Sequence, residues 1–238
     1  MSLKKSKGNM YSWVSHTHSH LGGECSHKCS YCYVNNPRFG RHEKYCGPIR
    51  LLEDELNVNY GVGKTIFIEN MNDLFANDVP AEFIRKILDH VKAWPNNIYI
   101  FQTKNPGRVL SFIDDILFGK CMTGGQFGTT IETNRSDIIT NHSSAPDPLH
   151  RYCDMLVIKR EIPDARLFVT LEPIMDFDVG ILGTWLTTLK PSFVNIGADS
   201  KKHNLPEPTP DKVKALIEIL DKAGIEIREK HNLERLLV

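Results

Sequence analysis

Short runs of apolar, β-branched residues alternate along the chain with longer stretches of helical period, a pattern that predicts repeated strand–helix units around a parallel sheet or barrel. Thr65–Ile68 reads as a buried strand, after which Phe83, Ile84, Ile87, Leu88 and Val91 fall on one face of a helix. Ile98–Phe101 is the next strand, and Asn105 with Pro106 opens a helix as cap and first-turn residue. Gly128–Ile131, Leu167–Leu171 and Phe193–Ile196 read as three further strands, with chain enough between them for one crossover helix each. With Tyr11–Val14 as the first strand the count reaches six. Val213, Leu216, Ile217 and Leu220 make a last amphipathic helix, and the charged tail around Arg228–Arg235 is expected at the barrel's edge. Asn141–Pro148 and Asn204–Pro210 read as surface loops. The expectation is an α/β chain forming a partial (β/α)6 TIM-like barrel as a single domain over 1–238, with a cysteine-bearing loop at 16–46 and a C-terminal helix and tail at 208–238.

Nearly every expected strand ends in polar residues: Glu69-Asn70, Gln102-Thr103-Lys104, Glu132-Thr133-Asn134, Glu172 and Asn195. In a parallel βα barrel the carboxyl ends of the strands share one rim, where sites assemble from residues distant in sequence. Any one of these residues is accounted for equally well as a cap on the following helix. Their recurrence on several strands favours a site.

A chain of 238 residues, 41% hydrophobic and 24% charged, can bury a full core. Lysine plus arginine equals aspartate plus glutamate at 29 each, so no global positive field draws nucleic acid or anionic lipid to it. A nucleic-acid substrate would need a local patch, for which Lys4, Lys5, Lys7, Arg38, Arg41 and Lys44 are the candidates; a plain solvated face is the alternative. The basic start lacks the apolar stretch of a secretory signal, and no run approaches the ~20 apolar residues of a membrane span. A soluble, cytoplasmic protein is expected.

Three of the six cysteines are crowded into Cys25-Ser26-His27-Lys28-Cys29-Ser30-Tyr31-Cys32, a CxxxCxxC spacing unlike a secreted disulfide framework. Thiolates are soft ligands suited to iron–sulfur clusters and zinc, and a compact loop can aim three of them at the corners of one cubane. The fourth iron then lacks a protein ligand and is open to a chelating substrate. The competing reading is zinc bound by three cysteines and one histidine, drawn from His27, His16, His18 or His20. Zinc knots usually use paired CxxC elements, whereas Cys46, Cys121 and Cys153 are scattered, and the histidines at alternate positions upstream read as a polar loop or the lining of a substrate mouth.

With Tyr31 in its aromatic position, the CxxxCx-aromatic-C segment resembles the signature of the radical S-adenosylmethionine (SAM) superfamily. The resemblance implies a partial barrel of the radical SAM type and a [4Fe-4S] cluster on Cys25, Cys29 and Cys32 whose open iron binds the methionine end of SAM. It implies one-electron cleavage of SAM to a 5'-deoxyadenosyl radical that abstracts hydrogen from substrate, with an external reductant of the flavodoxin or ferredoxin type. Tyr31 would sit against the adenine. The blocks Ile68–Phe75 with Val79-Pro80, Gln102–Pro106, Thr130–Asn134 and Leu171–Pro173 further resemble a phage- and bacteria-associated radical SAM family of poorly defined function, distantly similar to spore photoproduct lyase. Asn70, Asn72 and Asn105 depart from that family's two serines and one arginine. By this resemblance Glu69, Asn70 and Asp73 hold the SAM amino group, Glu132 and Asn134 contact ribose or carboxylate, and Lys104 and Glu172 face SAM or substrate as the catalytic pair. A ring of salt bridges inside the barrel is the structural alternative.

The P-loop-like Gly61–Thr65 is rejected, because Val58 stands where the full motif needs glycine and the segment precedes a strand. The resemblance points to a nucleobase or nucleoside substrate, or a base within DNA, rearranged or isomerised as in phage hypermodification of thymine. The alternatives are a small metabolite as substrate, a zinc-stabilised binding or regulatory module, and an iron–sulfur electron carrier, the last disfavoured because three cysteines leave an iron open.

Overall fold

A computed structural model describes residues 3–7, 10–35, 43–114 and 125–238. Arg38, Arg41 and Cys121 lie outside the described residues. The chain divides into two compact units, Met1–Ser26 with Val34–Phe127, and His27–Tyr33 with Gly128–Val238.

In the first unit, β1 (Lys4–Lys5) runs antiparallel to β2 (His16–His18), while β3 (Leu21–Gly22) and β4 (Arg50–Leu51) form a separate antiparallel pair. β2, β5 (Thr65–Ile68) and β6 (Ile98–Thr103) are parallel, with His18 in register with Ile68 and Ile68 with Phe101. The β-branched run of β5 is buried as expected of a strand covered on both faces. α1 (Ala81–Lys92) buries Ile84, Ile87, Leu88 and Val91, the stripe read from the 3.6-residue period. Phe75, Phe101, Phe112 and Phe127 pack as an aromatic cluster, Phe101 stacking on Phe127 at 5.2 Å.

Two expectations are corrected in this unit. Tyr11–Val14 is a turn closed by the Val14 amide on the Tyr11 carbonyl (3.0 Å), with Tyr11 and Trp13 stacked on each other; the first parallel strand is β2. Asn105 holds the cap position of α2 (Pro106–Val109), a single turn, but its side chain does not cap. It donates instead to the Phe75 carbonyl and Asn77 Oδ1, both at 2.9 Å.

β7 (Gln126–Thr130) reaches the second unit, where the strand order is β7, β8 (Arg166–Leu171), β9 (Phe193–Ile196), β10 (Glu226–Glu229). β8, β9 and β10 are parallel, with Ile196 in register with both Leu171 and Glu229. The connecting helices are α3 (Ser136–Ile139), α4 (Pro148–Glu161), α5 (Val179–Leu189) and α6 (Pro210–Lys222). Asp147 and Asp178 cap α4 and α5 by accepting from the Leu149 and Ile181 amides, satisfying donors that a helix start leaves open. Gly128 is required by packing: a Cβ there would stand 2.3 Å from the Phe168 ring, itself stacked on Phe193 at 5.0 Å.

The charged tail supplies β10, a strand the sequence reading did not anticipate. The two expected surface loops are only partly so: Ser143 and Ser144 bond to residues 27–29, and Leu205 is buried with Ile139 and Met175. No helix among the described residues is long and apolar enough to cross a membrane.

Candidate functional site

Cys25 belongs to the first unit, Cys29 and Cys32 to the second. The Cys32 amide closes a turn on the Cys29 carbonyl at 3.0 Å, and Lys28 just before it adopts a left-handed conformation (φ 44°). The segment is tied down by Ser144 N–H to the His27 carbonyl (2.7 Å), Ser30 N–H to the His142 carbonyl (2.8 Å) and Ser143 Oγ beside Cys29 Sγ (3.2 Å). Cys29 is buried, Cys25 and Cys32 are half-buried, and none of these, nor Cys46 or Cys153, is in a disulfide. Three soft thiol donors, undiverted by cross-linking, fit an iron–sulfur cluster ligated through three of its irons.

Tyr31, between the two later cysteines, donates its hydroxyl to Glu132 Oε1 at 2.5 Å. Burial, and then the Glu132 carboxylate, raise the phenol well above its ordinary pKa, so it stays a donor. Glu132 in turn accepts from Arg151 Nη1 at 2.8 Å, both side chains being 0% exposed. Arg151 Nη1 also reaches the Thr130 carbonyl at 2.9 Å. Sequence reasoning passed over Arg151, yet its signal was there: with Met155 and Ile158 it occupies i, i+4, i+7 on the buried stripe of α4, where an arginine needs a buried acceptor.

The other residues singled out by resemblance are placed as follows. In the first unit, the buried Glu69 has a left-handed backbone (φ 58°), and its carboxylate is taken up by the His20 amide and ring and, at 3.3 Å, by the Leu21 amide. Burial raises its pKa to about 7. Asn70 Oδ1 accepts from Ser19 Oγ at 3.1 Å, and Asp73 accepts from the Phe75 and Lys104 amides, pinning the end of β6. In the second unit, Asn134 Oδ1 accepts from the Asp178 amide at 2.8 Å, and Glu172 pairs with Lys230 at 3.0 Å. Among the basic residues proposed for phosphate contact, Lys4 and Lys5 are exposed. Lys44 is turned inward onto Glu55 and the Ser19 carbonyl, which corrects its assignment to a phosphate-facing patch. Lys64, the P-loop lookalike, donates to the Tyr60 carbonyl.

Three solved structures with similar folds are of one class. A single-residue variant of spore photoproduct lyase superposes with a TM-score of 0.62 at 11% identity, covering 96% of this chain and 80% of that one. A spore photoproduct lyase variant with bound SAM and dinucleoside spore photoproduct gives 0.56 at 13% identity, covering 93% of this chain and 66% of that one. SuiB of Streptococcus suis bound to SAM gives 0.59 at 10% identity, covering 91% and 51%. The chain thus spans just under two thirds of the ligand-bound lyase and about half of SuiB. These neighbours are radical SAM enzymes, and the fold of this chain is the mixed α/β, mostly parallel, TIM-like barrel fold of that class. Residues 9–179 match the family described as "Protein of unknown function (DUF5131)", and the chain belongs to that family. A sequence comparison with curated proteins gave no match.

Proposed function

We propose that the chain is a radical SAM enzyme in which Cys25, Cys29 and Cys32 hold a [4Fe-4S] cluster. The observation that carries this reading is the CxxxCxYC segment, free of disulfides, in a chain whose fold is shared with radical SAM enzymes. One electron from such a cluster, delivered by an external reductant of flavodoxin or ferredoxin type, is what cleavage of SAM to a 5'-deoxyadenosyl radical requires.

The chain's own residues serve that chemistry by orientation. Tyr31, locked to Glu132, presents a rigid edge at the adenine position of the motif, and the Arg151–Glu132 pair fixes it without a water-exposed partner. Asn70 and Asp73 are assigned to the SAM amino group and Asn134 to the ribose or carboxylate, while Glu69 and Glu132 act by holding the neighbours they already bond. Lys104 and Glu172 are assigned to face substrate, with Lys230, 3.0 Å from Glu172, fixing the direction of that carboxylate.

The substrate class proposed is a modified nucleobase or nucleoside, alone or within DNA, undergoing an isomerase- or lyase-type rearrangement in the cytoplasm. It is supported by the exposed Lys4 and Lys5 and by the fold shared with a lyase solved with a dinucleoside photoproduct.

Anaerobic reconstitution with iron and sulfide, then SAM and dithionite, should yield 5'-deoxyadenosine. Cys29→Ala should abolish it. A colourless protein that carries zinc at the three cysteines and never turns over SAM would end this reading.

A further inference from the structure

Outside the cysteine segment, the first unit holds three buried histidines whose ring nitrogens converge. His18 and His20 flank the end of β2 and His90 lies on α1; one nitrogen of each can be chosen so that all lie within 4.8 Å of one another. The phenol of Tyr60, fully buried, joins them, its oxygen 2.5 Å from His18 Nδ1 and 3.0 Å from His20 Nε2. His20 Nε2 stands 2.9 Å from His90 Nδ1. The expectation of a polar loop over these positions is therefore corrected: His18 is 7% and His20 0% exposed.

The other nitrogen of each ring settles which inner ones carry hydrogen. His18 Nε2 faces Glu55 Oε2 at 3.1 Å, His20 Nδ1 faces Glu69 Oε1 at 2.8 Å, and His90 Nε2 faces the Val58 carbonyl at 2.8 Å. With the carboxylates ionised, all three are acceptors only, so each outer nitrogen carries the N–H and each inner nitrogen of a neutral ring is a bare lone pair. The phenol hydrogen can satisfy only one of those lone pairs, so among His18 Nδ1, His20 Nε2 and His90 Nδ1 two acceptors are left converging without a donor, His20 Nε2 and His90 Nδ1 only 2.9 Å apart. A cation at the convergence point removes the conflict. Imidazoles whose second N–H is held by a carboxylate or backbone carbonyl are the arrangement by which proteins orient metal-bound histidine. Glu55 and Glu69 place carboxylates behind two of the rings, the far oxygen of Glu55 being held by Lys44 at 3.1 Å.

We propose that His18, His20 and His90, with the Tyr60 oxygen as fourth donor, form a binding site for a divalent transition ion of the zinc class. Bond lengths of about 2.0–2.1 Å in a tetrahedron separate ligand atoms by about 3.3 Å, so binding parts His20 and His90 from 2.9 Å by about 0.4 Å and Tyr60 and His18 from 2.5 Å by about 0.8 Å. All four donors are buried, which suits a structural ion: it would tie β2, the Val58–Tyr60 segment and α1 together from within the first unit. It is independent of the cluster reading, since none of its ligands is a cysteine.

The test uses the full chain, as wild type and with Cys25, Cys29 and Cys32 all replaced by alanine. Both are dialysed against zinc(II), then buffer, and assayed by elemental analysis; a parallel cobalt(II) sample is read by visible absorption. Retention of about one zinc per chain in both proteins, with the intense ligand-field bands of four-coordinate cobalt and no thiolate charge-transfer band, is the expected result. Glu69→Gln, which leaves the ligands in place, should weaken zinc affinity about 10–100-fold, the usual effect of losing such an outer partner. His90→Gln, checked for folding by circular dichroism, should lose the ion. A wild type that binds neither zinc nor cobalt overturns the proposal, as does an ion that departs with the cysteines and ignores Glu69→Gln.

Discussion

Arg151 and Glu132 show how much a single buried charge commits a structure. Each is 0% exposed, and each neutralises the other. Removing one partner of such a pair strands the other in a medium that solvates it poorly, at a cost of about 3–5 kcal/mol. Arg151→Met should therefore lower the melting temperature sharply in calorimetry, and should also slow SAM cleavage, because Tyr31 loses the anchor of its own partner. Glu132→Gln keeps a hydrogen-bond acceptor and should cost less. Asp176 is a milder case on the half-exposed surface, bonded to Lys212 at 2.6 Å and to Arg135 at 2.8 Å. Burial pushes its pKa up, but the bonds and charges of Lys212 and Arg135 outweigh burial and bring it below the ordinary value. Its stabilisation is then fully present above an unfolded pKa of about 3.9 and is lost as pH falls through the lower folded value. Melting curves of Asp176→Asn should consequently lose part of the wild type's decline below about pH 4.

Among the elements, the ones legible in the sequence were those whose side chains and backbone tell the same story. Thr65–Ile68 and Phe193–Ile196 are short, mostly apolar and β-branched or aromatic runs, and both strands have the bounds read for them. β2 was illegible because its His-Thr-His sequence is polar, and the buried imidazole of His18 finds its partners Glu55 and Tyr60 37 and 42 residues away, where no local pattern displays them. β10 was missed for a different reason: Glu226, Ile227, Arg228 and Glu229 are exposed or half-exposed, and the Arg228 guanidinium lies 3.6 Å over the Phe193 ring, so a charged residue does the packing. Of the proposed site, the part open to reading in the sequence is the spacing of Cys25, Cys29 and Cys32, where chemistry dictates spacing, whereas Arg151 is recognisable only once the helix stripe is known. Gly128 gives the elements a test. A methyl group at this position meets the Phe168 ring, which is fixed in turn by Phe193, so Gly128→Ala should cost about 1–3 kcal/mol in urea unfolding, in the range of an overpacked core. Gly183→Ala, on α5, meets Ile219 no closer than 3.1 Å (Cδ1) and 3.3 Å (Cγ2) and should cost less.

For the molecule as a whole, equal numbers of acidic and basic residues set an expectation for any nucleic-acid substrate. Without a net field, binding to random duplex DNA should be negligible in mobility-shift assays at physiological salt. If a modified base in DNA is the substrate, affinity should appear only with the modification present, and it should weaken little as salt rises, because few phosphates are engaged. Steep salt dependence on unmodified DNA would contradict that view of the surface.

The seven residues His27–Tyr33 are counted with a part of the chain that begins about a hundred residues later, and their tethers are Glu132, His142, Ser143 and Ser144. A ribosome makes the cysteine segment long before it makes those partners. During synthesis Cys29 and Cys32 therefore precede their tethers until the chain through Ser144 has emerged, so maturation of the thiol site belongs after that point, and the interval before it is when these thiols are most exposed to oxidants and to adventitious metal.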